Sequence, residues 1–296
     1  MKCVLPTAIT LTLLAGVAAP CTGQSPDPQA GPFAVSQPTE IVNFTAHMLA
    51  SNELAPTVVA PGEVGAFGDA NVELQVVRDG LGNITSATAR FDVTVAGCTP
   101  SSNLILAHIH QGGPAINGPV RVDSGLTVPA PIPMAPVGSA SFSRSGLTVP
   151  LSIAAALIAD PAAFYFDVHT ALSPQGVARG QLKKTCAASA TVLCVNASRF
   201  KVEVSWRVPP QGTSGAGIAV PQTTDTGQFY FFTSNNIELV IKVVDGTAFN
   251  GKYWVFYGAL TNVEYTITVT DTQTGAVKTY FNPFGNLASV ADTAAF

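Results

Sequence analysis

The chain is 296 residues long with a formal net charge of −4 and no basic block, which excludes a nucleic-acid footprint. Charged residues make up 11%, against about 25% in an ordinary globular protein, while apolar content stays normal at 47%. The surface must therefore be built from Ser, Thr, Asn, Gln and Gly, which suits secreted β-proteins better than cytosolic enzymes, and the length suits two domains with cores of their own.

The N-terminus reads as an export signal over residues 1–23. Lys2 supplies the positive end, and residues 4–19 form an apolar stretch ending in small side chains. That stretch is too short and too rich in threonine for a membrane span, so the mature chain is expected to lack a transmembrane segment and to be extracellular or periplasmic. Ala18-Ala19-Pro20-Cys21 resembles a lipoprotein cleavage site, although Pro20 directly before Cys21 fits that chemistry poorly. Residues 24–40, with four prolines and no periodicity, read as a flexible linker.

The first folded domain is expected over residues 41–185. Val42, Phe44, Ala46 and Met48 alternate with Asn43, Thr45 and His47, the pattern of a half-buried strand that leaves His47 in solvent. Residues 72–78 and 84–95 read as two more strands joined by the hairpin signal Asp79-Gly80-Leu81-Gly82-Asn83. Residues 104–120 place His108 and His110 at the end of an apolar strand, followed by a Gly/Pro/Asn turn, and residues 129–136 are proline-rich. Residues 138–144 read as a further strand. A short helix is expected over 150–159, with Pro161 beyond its end. A second histidine-bearing strand follows at 163–170, and residues 178–184 close the domain.

Two residues apart on a strand, His108 and His110 share a face. His169 lies on another strand with Asp167 on its own face, so three imidazoles and a carboxylate could converge on Zn²⁺ or Cu²⁺. The competing reading is structural. Leu104 and Leu106 share the histidine face while Ile105, Ala107 and Ile109 line the other, and buried neutral histidines bonded to backbone groups suit such a strand equally well. Arg179, flanked by glycines and apolar residues, calls for a buried carboxylate partner, either Glu53 or Asp167.

Removal of the signal leaves Cys98, Cys186 and Cys194. Cys186 and Cys194 close a short loop and are the expected disulfide, leaving Cys98 a buried free thiol, while a Cys98–Cys186 pairing stays open. From residue 186 to 296 the spacing changes. Strands are expected at 199–208, 228–232, 237–244, 253–257, 264–271 and 276–281, with turns at Asp245-Gly246 and Thr274-Gly275, the rhythm of a β-sandwich or barrel. Aromatic side chains crowd this half, from Trp206 through Phe229–Phe232 to Trp254, Phe256 and Tyr257, and most of them must be core.

Four separated motifs in the first domain resemble the CHRD (chordin-type) domain. They are FTAHMLASNELAP (44–56), AHIHQGGPAINGPV (107–120), FYFDVHT (164–170) and GVARGQL (176–182). Leu54-Ala55-Pro56 departs from the Val-Pro-Pro more usual in that family. The resemblance implies an all-β sandwich or barrel domain without established catalytic activity, in which Glu53, Gly112, Gly118, Arg179 and Gly180 are structural motif residues. The second half resembles an uncharacterised β-domain recurrent in bacterial secreted proteins, through RFKVEVSW, GQFYFFTSNNIELVIKVVDG and YWVFYGALTNVEYTITVTDTQTGAVKTY. The HxH spacing is similar to that of copper/zinc superoxide dismutases, but no fuller set of histidine ligands follows.

Catalytic constellations are missing. Gly212-Thr213-Ser214-Gly215-Ala216 lacks the spacing of a nucleophile elbow, and all four histidines precede residue 171. Two function classes follow. One is a secreted non-catalytic binding or scaffold protein that contacts a protein or glycan outside the cell. The other is a Zn- or Cu-binding, or metal-dependent redox, protein using the histidines.

Overall fold

The structure is a computed structural model that describes residues 39–296. The expected export signal, Cys21 and the expected linker up to residue 38 lie outside the described residues. Thr39 and Glu40, assigned to the linker from sequence, belong to the first strand.

In the first half, alternating apolar residues build β1 (Thr39–Leu49), β2 (Phe67–Arg78) and β3 (Ile84–Ala96) into antiparallel hairpins. They are followed by β4 (Leu104–Gln111), β5 (Val120–Asp123), β6 (Ala140–Thr148), α1 (Leu151–Ala159), β7 (Phe164–Thr170), β8 (Ala178–Gln181) and β9 (Lys183–Thr185). Sheet order is β5-β4-β7-β8-β1-β2-β3-β6, with β9 also on β1, and the sheet curls into a nearly closed barrel. Its inward face holds Phe44, Met48, Leu74, Phe91, Ile109, Phe166 and Val168, all buried. Each such side chain contributes roughly 1.5–3 kcal/mol of transfer free energy. The helix α1 adds Ala154 and Leu157 to the same core.

The second half is a sandwich of two five-stranded sheets. One contains β10 (Val192–Val195), β11 (Phe200–Val208), β12 (Thr213–Ala216), β17 (Glu264–Asp271) and β18 (Val277–Asn282). The other contains β13 (Ile218–Pro221), β14 (Thr226–Tyr230), β15 (Leu239–Gly246), β16 (Lys252–Ala259) and β19 (Ser289–Asp292), with a single helical turn α2 (Thr247–Asn250) between β15 and β16. Phe200, Val202, Ile267 and Val269 from the first sheet meet Phe229, Ile241, Val243 and Val255 from the second in a separate buried cluster.

The fold is all-β, as expected, but several strands carried no periodic signal. Thr213–Ala216, read above only as a failed nucleophile elbow, is β12 and pairs with the far end of β11. Its residues are exposed throughout, so no apolar alternation could announce it. Cys186 and Cys194 form a disulfide and Cys98 is a buried free thiol, which removes the Cys98–Cys186 alternative.

Candidate functional site

A β-bulge in β4 sets up the site. The register with β7 shifts between Leu104 and Leu106, so Leu104 joins Ala107 and Ile109 in the core instead of sharing the histidine face. That correction leaves Leu106, His108 and His110 on the outward face of β4. Across from them on β7 stand Asp167 (opposite His108), Tyr165 (opposite His110) and His169 (opposite Leu106). Strand β8 then brings Arg179 opposite Asp167 and Gln181 opposite Tyr165. Loops cover this face, so a layer of polar side chains is buried on the outside of the barrel wall.

His108, His110 and His169 converge, one ring nitrogen of each lying within 4.8 Å of the others. Hydrogen bonds to carbonyls decide which nitrogens are free. A carbonyl only accepts, so His110 donates Nδ1–H to the Gly118 oxygen at 2.9 Å, and His169 donates Nδ1–H to the Pro174 oxygen at 3.2 Å. Both Nε2 atoms are therefore unprotonated. The His169 Nε2 faces His108 Nδ1 at 3.3 Å, and the His110 Nε2 is buried with no partner at all. The other His108 nitrogen, Nε2, lies 3.7 Å from an Asp123 carboxylate oxygen at the exposed edge of the layer. Burial lowers the basicity of all three rings, most for His169, which is pushed down to about 4. The cluster is thus a set of neutral imidazoles in which His110 and His169 turn Nε2 lone pairs inward and His108 turns Nδ1 toward that of His169.

Asp167 is not part of that set. Its carboxyl lies 4.0 Å from His169 Nε2, and its Oδ1, like Glu53 Oε1, is buried without a hydrogen-bond partner. Burial raises the pKa of both acids, Glu53 to about 7 and Asp167 well above the usual range, and the nearby Glu53 charge adds to the shift on Asp167. Burial therefore favours the neutral form of Asp167. The Glu53 carboxyl rests against Gly176, where a β-carbon would come within 2.9 Å of both its oxygens.

The direct Arg179–carboxylate pair expected from sequence does not form. Arg179 is 2% exposed and places its guanidinium 3.5 Å from the centre of the Tyr165 ring. It donates to the Asn117 side chain at 2.9 Å, to the carbonyls of Ile116 and Gly113 at 3.2 and 3.3 Å, and to Gln181 at 3.4 Å. Neutral acceptors and an aromatic face satisfy the buried cation, while Glu53 and Asp167 act on it only through longer-range attraction. Gly118 approaches the chain so closely that a β-carbon would overlap the Gln111 carbonyl, and one on Gly180 would overlap that of His47. His47 itself is exposed and bonds Asp69 at 2.9 Å.

Several contributors were not singled out from sequence. Asp123, the Gly118 and Pro174 carbonyls, Tyr165 and Asn117 all act through loop or cross-strand geometry. Glu63, wholly buried, accepts hydrogen bonds from Thr170 Oγ1 at 2.6 Å and Ser173 Oγ at 2.7 Å, and so anchors the turn that carries Pro174. Only its position before the Ala66–Phe67 strand entry marked Glu63, and that is no signal for a buried acid.

A nearly closed antiparallel barrel with a buried histidine and carboxyl layer, followed by a disulfide-bearing β-sandwich, defines a tandem all-β protein. Residues 44–182 match the model of the CHRD domain, and this stretch is a CHRD domain. No curated protein and no solved structure matches the chain at a significant level. The match spans the whole histidine layer, from β1 to the residue before β9. Among the described residues, no helix is long and apolar enough to cross a membrane.

Proposed function

We propose that the protein is a non-catalytic binding protein of the cell exterior whose CHRD domain holds a transition-metal ion, Zn²⁺ or Cu²⁺, on His108, His110 and His169. The carrying observation is the orphaned His110 Nε2, buried beside two other imidazoles whose hydrogen bonds leave ring lone pairs pointing inward. Buried acceptors without partners are rare in folded proteins, and a cation is a partner that three converging ring nitrogens can share. The 3.3 Å gap between His108 Nδ1 and His169 Nε2 equals the ligand separation of about 3.3 Å implied by tetrahedral Zn–N bonds near 2.05 Å. In the metal-bound form His108 keeps its proton on Nε2, toward Asp123, which gives the carboxylate–histidine–metal arrangement common around zinc. The intramolecular disulfide suits an oxidising compartment.

Metal analysis of natively purified protein, with calorimetric titration of Zn²⁺ and Cu²⁺ into chelator-treated protein, tests the reading. One ion per chain is expected, lost on His110→Ala. Metal-free native protein with no affinity for either ion would end it.

Contact with a protein or glycan outside the cell is a second reading, favoured by the aromatic rings beside β16. Phe249 is 82% exposed and lies 5.6 Å from the Trp254 ring, which is followed by Phe256 under the Lys242 ammonium. Exposed aromatic groups of this kind mark contact surfaces. Trp254→Ala is expected to reduce retention on insoluble polysaccharide or on a partner. Unchanged retention across such ligands removes this surface from consideration.

A further inference from the structure

The buried guanidinium of Arg179 lies on the opposite side of Tyr165 from His110. Strand β7 sits between β4 and β8, so the Tyr165 ring is flanked by His110 from one neighbour and Arg179 from the other. His110 stacks on Tyr165 at 4.8 Å with 11° between the planes, and Arg179 lies 3.5 Å from the ring centre. The same guanidinium holds the loop of residues 112–118 through the carbonyls of Gly113 and Ile116 and the Asn117 side chain. Asn117 passes that hold onward, donating to the Leu54 and Ala55 carbonyls at 3.3 and 3.2 Å. The loop ends at Gly118, whose N–H donates to the Tyr165 hydroxyl at 3.1 Å and whose carbonyl accepts the His110 Nδ1–H.

We propose that Arg179 is a positioning residue for the histidine cluster: by holding this loop and the Tyr165 ring, it fixes His110 as the Nδ1–H tautomer and leaves Nε2 free to bind, a role whose use rests on the metal-binding reading above. The chemistry requires arginine. A planar fork reaches an amide oxygen and two carbonyls at once while lying flat on an aromatic ring, whereas a lysine ammonium is a compact point charge that meets fewer of these acceptors. Without the fork, the inward-facing carbonyls of Gly113 and Ile116 lose their donor and the loop must turn them to water. Gly118 then moves, and His110 loses the acceptor that selects its tautomer. His169 is the internal control, because its Nδ1–H bonds the Pro174 carbonyl in a different loop, anchored by Glu63.

The test is nitrogen-15 NMR of the histidine rings in full-length, chelator-treated protein, which reports the protonated nitrogen without any metal. Wild-type His110 and His169 are both expected as Nδ1–H tautomers. In Arg179→Lys, with circular dichroism showing the sheets retained, His110 is expected to become a tautomer mixture while His169 does not change. Zinc affinity, read by competition with a chelating dye, is expected to fall roughly 10–100-fold, the usual cost of losing an outer-shell partner. Asn117→Ala provides the same readout if Arg179→Lys does not fold, because Asn117 is exposed and its loss removes one acceptor and the tie to Leu54 and Ala55. A His110 that stays wholly Nδ1–H in the folded variants overturns the proposal. A tautomer shift with unchanged zinc affinity overturns its link to the metal. Wild-type protein that shows the tautomers but binds no zinc sinks the metal reading and leaves the positioning role standing.

Discussion

His108 Nδ1 and His169 Nε2 face each other at 3.3 Å from adjacent strands, with a proton or a metal ion needed between them. Since the His169 Nδ1–H is committed to Pro174, its Nε2 offers only a lone pair. In the metal-free protein His108 must turn Nδ1–H toward it, which leaves the His108 Nε2 lone pair facing the Asp123 carboxylate. An ion bound by all three rings relieves both this conflict and the unpartnered His110 Nε2.

Metal is therefore expected to stabilise the fold by linkage, about 2.7 kcal/mol when free metal is 100 times the dissociation constant. Scanning calorimetry with zinc and with a chelator should show the wild-type melting temperature rising with metal, and the rise abolished in His110→Ala. An equal rise in both proteins would mean that the ion binds elsewhere.

A β-carbon on Gly118 has no room against Gln111, whereas Gly113, five residues earlier in the same loop, has nothing within 4 Å of where its β-carbon would stand. Gly118→Ala should cost about 3 kcal/mol, the upper end of ordinary overpacking, and displace the carbonyl that anchors His110. Gly113→Ala should change stability by less than about 0.5 kcal/mol. Urea denaturation of the pair measures the difference, and similar midpoints would contradict the close approach.

Much of this arrangement was legible before the structure. Alternation along β1, the Asp79–Asn83 hairpin and the spacing of two carved out a histidine face, because each is a local rule that neighbouring residues obey together. The direction of that face could be read at His108 and His110 but not at Leu104, where a bulge reverses the alternation. Arg179 announced a buried charge but not its partners, because carbonyls of a loop 62 to 66 residues away carry no side-chain signature. Asp123 looked like any exposed turn residue. What sequence withheld lies in long-range loop geometry, and in the exposed strand β12, where no core pattern exists.

Cys186 and Cys194 enclose a sequence separation of 8, and on the chain-entropy account closing so short a loop stabilises by roughly 2.5 kcal/mol. The Cys186→Ser/Cys194→Ser double variant should lose about that much in urea denaturation. Cys98 gives a separate readout. Burial, helped by the Glu63 charge, pushes its thiol up to about 11, so it should stay silent to thiol reagents in the native protein and react only on unfolding. Rapid native labelling at Cys98 would contradict its burial.

In the metal-free protein, two sets of buried groups, the histidines and the carboxyls, oppose each other as pH changes. His169 titrates at about 4 in the fold against an ordinary 6.5, through burial and the neighbouring His108 and His110 rings. Its folded pKa is depressed, so its contribution is complete above 6.5 and lost as pH falls toward 4, about 3 kcal/mol in all. Glu53 runs the other way. Burial raises it from 4.5 to about 7, so its contribution is complete below 4.5 and lost as pH rises toward 7. Asp167, also raised by burial and by the Glu53 charge, acts with the same sign as Glu53, while His108 and His110, lowered by burial, act with the same sign as His169. In the wild type the acids and the histidines therefore offset each other between pH 4.5 and 6.5. Glu53→Gln removes one of the acids and lessens the shift on Asp167, so this variant should lose more stability than wild type on acidification through that window. His169→Gln should shift the balance the other way, so this variant should lose less stability than wild type on acidification. Urea denaturation at half-unit pH intervals, with chelator present, reads all three curves. Parallel curves for wild type and Glu53→Gln would show that the carboxyl pair does not titrate with folding.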